Sequence, residues 1–219
     1  ITLTSTDVMN ADVVDAIRTT LDSMAVPPPP VIFEGDKMAN DSPLRVLLVS
    51  SEQYASFLQS NSGNFRTLQS NAMARAQQAG NNPLFMGEAG LWNGILIVKM
   101  PKPIRFYSGD SLRWCSSYTS ETETSTDLVP AAFAASGHAI DRAILLGGQA
   151  LAEAWGKHVK TGMPYFFSEK ELDHGDKLEL LLGMSNGRSK IRFEIDHGDT
   201  KQFTDYGAMC IDTVVKLAA

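Results

Sequence analysis

The chain has 219 residues, of which 43% are hydrophobic and 20% are charged, and its net charge is −6. These values indicate a globular protein and argue against one that acts mainly by binding DNA phosphates. A chain of this length buries roughly 70% of its surface on folding, which is enough for a core without metal ions or disulfides.

The first predicted element is a helix over residues 10–24. Asn10 or Thr6 is a suitable N-cap, and the apolar residues that follow have the spacing of one helical stripe. Four consecutive prolines, Pro27 to Pro30, prevent the helix from continuing. We therefore expect one face of this helix to pack on a sheet or another helix and the other to contact solvent.

Two strands are predicted next, over residues 31–33 and 44–49. The second is almost entirely apolar, which indicates that both of its faces are covered. Ser50 or Ser51 is then expected to cap a short helix that runs to residue 59.

A third helix is predicted over residues 65–78, in a stretch without acidic residues between Glu52 and Glu88. Two interpretations of this stretch remain open. It is either a surface helix rich in Gln and Asn or a contact with another subunit, because neutral amides are desolvated at little cost. A glycine-rich turn at residues 87–90 and a strand over 92–100 follow.

The middle of the chain is predicted to contain an exposed loop over residues 116–127, which are mostly Ser, Thr and Glu. A strand over 140–146 leads into Gly147-Gly148 and a helix over 149–155. We interpret the two glycines as structural, because an abrupt turn needs either a positive φ or a close approach of two backbone segments.

Three strands are predicted to close the fold, over residues 177–184, 190–195 and 208–217. The dipeptide Asn186-Gly187 predicts a type I′ hairpin between the first two.

One tetrapeptide occurs twice, as Asp173-His174-Gly175-Asp176 and as Asp196-His197-Gly198-Asp199. Its residue types suit a metal site, but Asp and Gly are also common turn residues at strand ends, and we favour paired turns. The two cysteines, Cys115 and Cys210, are too few for a zinc site of their own. No nucleophile elbow, phosphate loop or dinucleotide fingerprint is present. The sequence therefore predicts no catalytic, cofactor-binding or metal-binding residue.

Several stretches, taken in order, resemble the major capsid proteins of short-tailed double-stranded DNA phages that carry a large virion RNA polymerase, and their relatives. The stretches that carry this resemblance are residues 65–69, 79–85, 87–97, 142–150, 190–193 and 205–213. The resemblance covers roughly residues 40–217.

The resemblance implies an α+β fold of the Hong Kong 97 type. Residues 1–45 would then form the spine-helix part of the peripheral domain, 46–195 the axial domain, and 196–219 a return strand to the peripheral domain. The N-terminal arm and extended loop of such proteins are not recognisable in this chain. Because the chain begins with Ile1 rather than Met, we interpret it as a piece of a longer product.

The resemblance also implies a structural protein rather than an enzyme. Copies of the chain would assemble through hexamers and pentamers into an icosahedral shell, in the virion, around a genome that they contact only weakly. Scaffolding, decoration and portal proteins are further candidate partners, and no cofactor or membrane is expected. The alternatives are a bacterial compartment shell, a phage tail component and a metal-dependent hydrolase that uses the paired Asp-His-Gly-Asp turns.

Overall fold

The computed structural model describes residues 3–24, 27–32, 44–60, 88–114, 125–159, 161–197, 200–205 and 207–217. Over these ranges the fold is a mixture of helices and strands, so the predicted α+β class is confirmed. The chain divides into two compact units, of which the first is Ile1–Ala150 with Arg192–Ala219 and the second is Leu151–Ile191.

The described helices all belong to the first unit and are α1 Ala11–Ser23, α2 Ser51–Ser60 and α3 Ala132–Ser136. Its described strands are β1 Arg45–Val49, β2 Glu88–Trp92, β3 Ile95–Lys99, β4 Ile104–Phe106, β5 Ser111–Trp114, β6 Ser125–Leu128, β7 His138–Leu146, β12 Arg192–His197, β13 Thr200–Asp205 and β14 Ala208–Lys216. Those of the second unit are β8 Leu151–Trp155, β9 Tyr165–Leu172, β10 Lys177–Met184 and β11 Asn186–Lys190.

A mixed sheet forms the centre of the first unit, with the strand order β14-β7-β1-β3-β2 and β4 paired to β7. Strand β1 is parallel to β3 and antiparallel to β7. Leu47 and Val49 of β1 belong to the cluster that includes side chains of α1 and α2, whereas Val46 packs with Leu44 and Leu96. The strand predicted over residues 44–49 is therefore confirmed, as is its burial on both faces.

Helix α1 confirms the helix predicted over residues 10–24. The side-chain oxygen of Asn10 accepts a hydrogen bond from the backbone N–H of Val13 at 2.9 Å, which caps the helix. Val14, Ile17 and Leu21 are buried and form the predicted stripe.

Helix α2 begins with a reciprocal cap, in which Ser50 Oγ accepts from the Gln53 N–H and Gln53 Oε1 accepts from the Ser50 N–H. The predicted helix over residues 50–59 is thus confirmed. Gln53 is itself buried, and its Nε2 donates to the backbone oxygen of Asp141 at 2.9 Å and to Thr213 Oγ1 at 2.8 Å. These bonds join α2 to β7 and β14.

The strand predicted over residues 92–100 is confirmed for Ile95–Lys99, which is β3, but its predicted start is wrong, because the chain reverses just before β3. Asn93 and Gly94 have φ angles of 45° and 74° and connect β2 to β3 as an antiparallel hairpin. Two consecutive left-handed residues are the requirement of a type I′ turn, which Asn-Gly satisfies. The turn predicted at residues 87–90 is also wrong for Glu88–Gly90, which lie in β2.

The helix predicted over residues 149–155 is wrong as well. Leu151–Trp155 is strand β8, which pairs with β11 along its whole length. The predicted hairpin at Asn186-Gly187 fails for the same reason, since both residues lie in β11 and the chain does not turn there. The strand predicted over 190–195 is shared between the end of β11 and β12.

The remaining expectations have mixed outcomes. The strands predicted over residues 140–146, 177–184 and 208–217 are confirmed as β7, β10 and β14. Residues 125–127, expected in a loop, lie in β6, while 116–124 are outside the described residues, as is the helix expected over 65–78. Residues 31 and 32 form no regular strand, although the Val31 N–H donates to the Leu44 oxygen at 2.8 Å.

Candidate self-association surface

The second unit is one long two-stranded ribbon. Strand β8 pairs with β11, and further along the chain β9 pairs with β10, in both cases antiparallel. Two backbone hydrogen bonds continue the ladder between these pairs, from Gly156 N–H to the Ser185 oxygen and from Ser185 N–H to the Pro164 oxygen. We call the β9–β10 part, from Tyr165 to Met184, the outer ribbon.

The outer ribbon has two chemically different faces, which follow from its register. Residues directly opposite each other on antiparallel strands share a face. Six large hydrophobic side chains lie on one face, and each is 55–78% exposed: Tyr165, Phe167, Leu178, Leu180, Leu182 and Met184. We call this the apolar face. Its other two positions are Glu169 and Glu171, which lie opposite Leu180 and Leu178.

The opposite face of the outer ribbon is mixed in character. It carries Phe166, Ser168, Lys170, Leu172, Lys177, Glu179, Leu181 and Gly183. Its apolar end is already covered, because the His158 ring stacks on Phe166 with centroids 4.4 Å apart. Gly183 leaves room for that phenyl ring, which a β-carbon at this position would overlap. The ring of Phe166 is thus packed within the ribbon.

The tip of the ribbon is the first Asp-His-Gly-Asp tetrapeptide. Asp173, His174 and Gly175 all have positive φ angles and form the tight turn between β9 and β10. Lys177 pairs with Asp173 at 2.6 Å, but both side chains are largely exposed, so the pair adds little stability. The interpretation of this copy as a turn is confirmed.

The second copy of the tetrapeptide lies at the end of a different strand pair. Asp196 and His197 are the last residues of β12, and His197 is opposite Thr200 of β13. Residues 198 and 199 are outside the described residues. In the part of the chain that the structure describes, no group of three or more His, Cys, Asp or Glu side chains could hold a metal ion. The absence of a metal site stays a prediction.

Gly147 and Gly148 lie against the proline segment in the first unit. The Gly147 N–H donates to the Gly207 oxygen at 2.6 Å, and the Gly148 N–H donates to the Pro29 oxygen at 2.7 Å. A β-carbon on Gly147 would lie 2.8 Å from Pro28 Cβ, and one on Gly148 would lie 2.6 Å from the Pro30 oxygen. The glycines are needed for close backbone approach, and neither has a positive φ.

Replacing Gly147 with valine is expected to lower the free energy of unfolding by about 1–3 kcal/mol, because the added atoms overlap Pro28 and the Pro29 oxygen. Gly187→Val is the matched control, since a β-carbon at Gly187 in β11 has no atom within 4 Å. Urea denaturation followed by circular dichroism measures both. Equal stability of the two variants would show that the close approach of Gly147 to the proline segment tolerates a side chain.

Two buried or partly buried arginines of the first unit have hydrogen-bond partners in the same unit. The Arg105 side chain donates to both Asp141 oxygens, at 2.7 and 2.8 Å, and also contacts Glu52 at 3.0 Å. The hydrogen bond to Asp141 raises the pKa of Arg105 above its usual value. Arg45 donates to the Pro28 oxygen at 2.7 Å, and desolvation lowers its pKa. These contacts join separate segments of the first unit.

A family model described as "Phage capsid protein" matches residues 2–217, almost the entire sequence. The chain belongs to this family. Phage capsid proteins are structural components of bacteriophages, and the exposed apolar ribbon is consistent with a protein that acts through interfaces. No described helix of this capsid protein is long and apolar enough to cross a bilayer.

Solved capsid structures have a similar fold. The capsid of Ralstonia phage GP4 matches 99% of this chain at 22% sequence identity, with a TM-score of 0.64. The head of Helicobacter pylori bacteriophage KHP40 matches 100% at 15% identity, with a TM-score of 0.54. The acidic stable capsid of Helicobacter pylori bacteriophage KHP30 matches 99% at 16% identity, with a TM-score of 0.52.

These structural matches cover only part of the solved chains. The matched portion is 50% of the GP4 chain, 62% of the KHP40 chain and 61% of the KHP30 chain. The present chain therefore spans about half to three fifths of the capsid chains that it matches. No curated protein matches it significantly.

Proposed function

We propose that this chain acts as a major capsid protein, which self-assembles through hexamers and pentamers into the icosahedral shell around a double-stranded DNA phage genome. The observation that carries the proposal is the family match over residues 2–217. The fold shared with three phage heads and the exposed apolar ribbon support it. Its location would be the virion, after assembly in the host cytoplasm, and its role would involve no catalysis or cofactor.

The proposal includes a Hong Kong 97-type layout. Residues 1–45, with α1 in the role of the spine helix, and residues 196–219 belong to the peripheral domain, and residues 46–195 to the axial domain. A net charge of −6 suits a wall that encloses DNA without adhering to it. Scaffolding, decoration and portal proteins are the further partners that such a shell protein would contact.

Immunoelectron microscopy of phage particles tests this function without depending on assembly of the isolated chain. Antibodies raised against the purified chain are expected to label the heads of DNA-filled particles densely and evenly, and pre-immune serum is the control. Mass spectrometry of the same particles should place peptides of this chain among the most abundant. Label confined to tails, or found only on DNA-free shells in cells without phage, would contradict the proposal in favour of a tail or compartment protein.

A further inference from the structure

We infer that the apolar face of the outer ribbon is an interface between two copies of this chain, which pack face to face with their ribbons running in opposite directions. This inference rests on the proposed self-assembly and deepens it by naming the residues that become buried in one contact between copies. It concerns the face that carries Phe167 and Leu182, and it assigns the other face of the ribbon no role in this contact.

The first argument is that the ribbon needs a cover. A two-stranded hairpin is at best marginally stable in water unless its apolar face packs on something. Strands β9 and β10 pair only with each other among the described residues. Leu182 of the apolar face is 78% exposed, and its cross-strand partner Phe167 is 58% exposed.

The second argument is the size of the face. Six large side chains, each more than half exposed, present roughly 700 Å² of surface. This exceeds the largest apolar patch of a typical monomer, which is about 300–600 Å². It is close to the area of about 800 Å² that each partner buries in a standard protein interface. One copy of the same face is therefore a partner of suitable size.

The third argument is the distribution of charge along the face. Both acidic residues, Glu169 and Glu171, lie in the half near the tip, and the half near the base is formed by Tyr165, Phe167, Leu182 and Met184. No Lys or Arg lies on the apolar face of the outer ribbon. Two copies that run in opposite directions keep their carboxylates at opposite ends of the contact. They also bring the Tyr165 hydroxyl, a hydrogen-bond donor, towards the acidic half of the partner.

Leu181 offers a matched control for this inference. It is adjacent to Leu182 in β10 and is also more than half exposed, but it faces the other side of the ribbon, opposite Ser168 and close to Lys170 and Glu179. A lysine at either position is accommodated in an exposed strand without disturbing a core. The two variants therefore differ in which face receives the charge.

Sedimentation velocity of the purified 219-residue chain over a range of concentrations provides the test. The wild-type chain is expected to associate with itself, and Leu182→Lys to raise the dissociation constant at least about tenfold. Leu181→Lys should change it less than about threefold. Phe167→Lys, on the neighbouring strand, should behave like Leu182→Lys, and circular dichroism should show that all variants keep the wild-type fold.

Three results would overturn the inference. One is a wild-type chain that stays monomeric, and the second is a Leu182→Lys variant that associates as tightly as wild type. The third is a Leu181→Lys variant that is weakened as much as Leu182→Lys. None of these would change the labelling of phage heads by antibodies, so failure of this interface is distinguishable from failure of the proposed function.

Discussion

Replacing Arg105 with methionine is expected to lower the free energy of unfolding by about 3–5 kcal/mol. The Asp141 side chain is only 1% exposed, and both of its oxygens accept hydrogen bonds from Arg105. Without the guanidinium, a carboxylate remains in the sheet with neither water nor a counter-charge to stabilise it. Urea denaturation at a fixed protein concentration measures the loss.

Two further variants identify the cause of that loss. Arg18→Met removes an exposed pair with Asp22 on α1 and should cost about 0.5 kcal/mol or less. The double variant Arg105→Met with Asp141→Leu should regain most of the stability, because it removes the buried charge together with its partner. If Arg105→Met were no more destabilising than Arg18→Met, the pair would not be the buried interaction described above.

The elements that could be predicted from the sequence are those whose pattern is set by burial in the chain's own core. Helix α1 has an N-cap residue, a stripe of apolar residues that ends in Leu21 and prolines that end the helix. Each of these signals indicates a helix over the same residues. Strand β1 is an apolar run too short for a core helix, so its burial on both faces was also predictable. In these elements, local preference and tertiary packing agree.

Apart from strand β10, the ribbon could not be predicted in the same way, because most of its side chains do not pack in a core of this chain. Residues 151–155 alternate between large and small side chains, and the Ala and Glu among them also suit a helix. Pairing with β11 makes these residues a strand, and this pairing joins residues more than 30 positions apart. Exposed leucines such as Leu182 resemble core residues in the sequence, since hydrophobicity alone does not distinguish a core from an interface.

The two Asn-Gly dipeptides show how context selects among local preferences. Asn93-Gly94 adopts the left-handed angles of a hairpin, whereas Asn186-Gly187 stays extended within β11. The chain reverses instead at Asp173–Gly175, which is the tip of the ribbon. Leu91 and Trp92 before this dipeptide, and the apolar run over residues 95–98 after it, concealed the first turn. At Asn186-Gly187, the pairing of β8 with β11 overrode the preference for a turn.

The long-range hydrogen bonds of the buried Gln53 side chain gave no signal in the sequence. Gln53 occupies a position at which α2 packs on the sheet, and a glutamine there is ordinarily expected to contact water. It is buried because Asp141 and Thr213 supply hydrogen-bond partners from two different strands. Such a partner set exists only after the sheet has formed, so no local pattern could have indicated it.

Replacing Phe57 with alanine is expected to cost about 3–5 kcal/mol of unfolding free energy. Phe57 is 1% exposed and lies edge-on to Trp92, with ring centroids 6.3 Å apart and planes at 79°. It joins α2 to the cluster formed by α1 and one face of the sheet, and alanine would leave a cavity there. Urea denaturation at a concentration low enough to keep the chain monomeric measures this loss.

Phe167→Ala is the control, because it makes the same substitution on the apolar face of the ribbon. In the monomer its phenyl ring is largely in water, so its removal should change the unfolding free energy by less than about 1 kcal/mol. The effects on self-association should be reversed. Phe167→Ala should weaken self-association markedly, and Phe57→Ala should weaken it less. A large loss of monomer stability in Phe167→Ala would mean that this ring packs within its own chain. The apolar face would then be part of a core and unable to serve as an interface between copies.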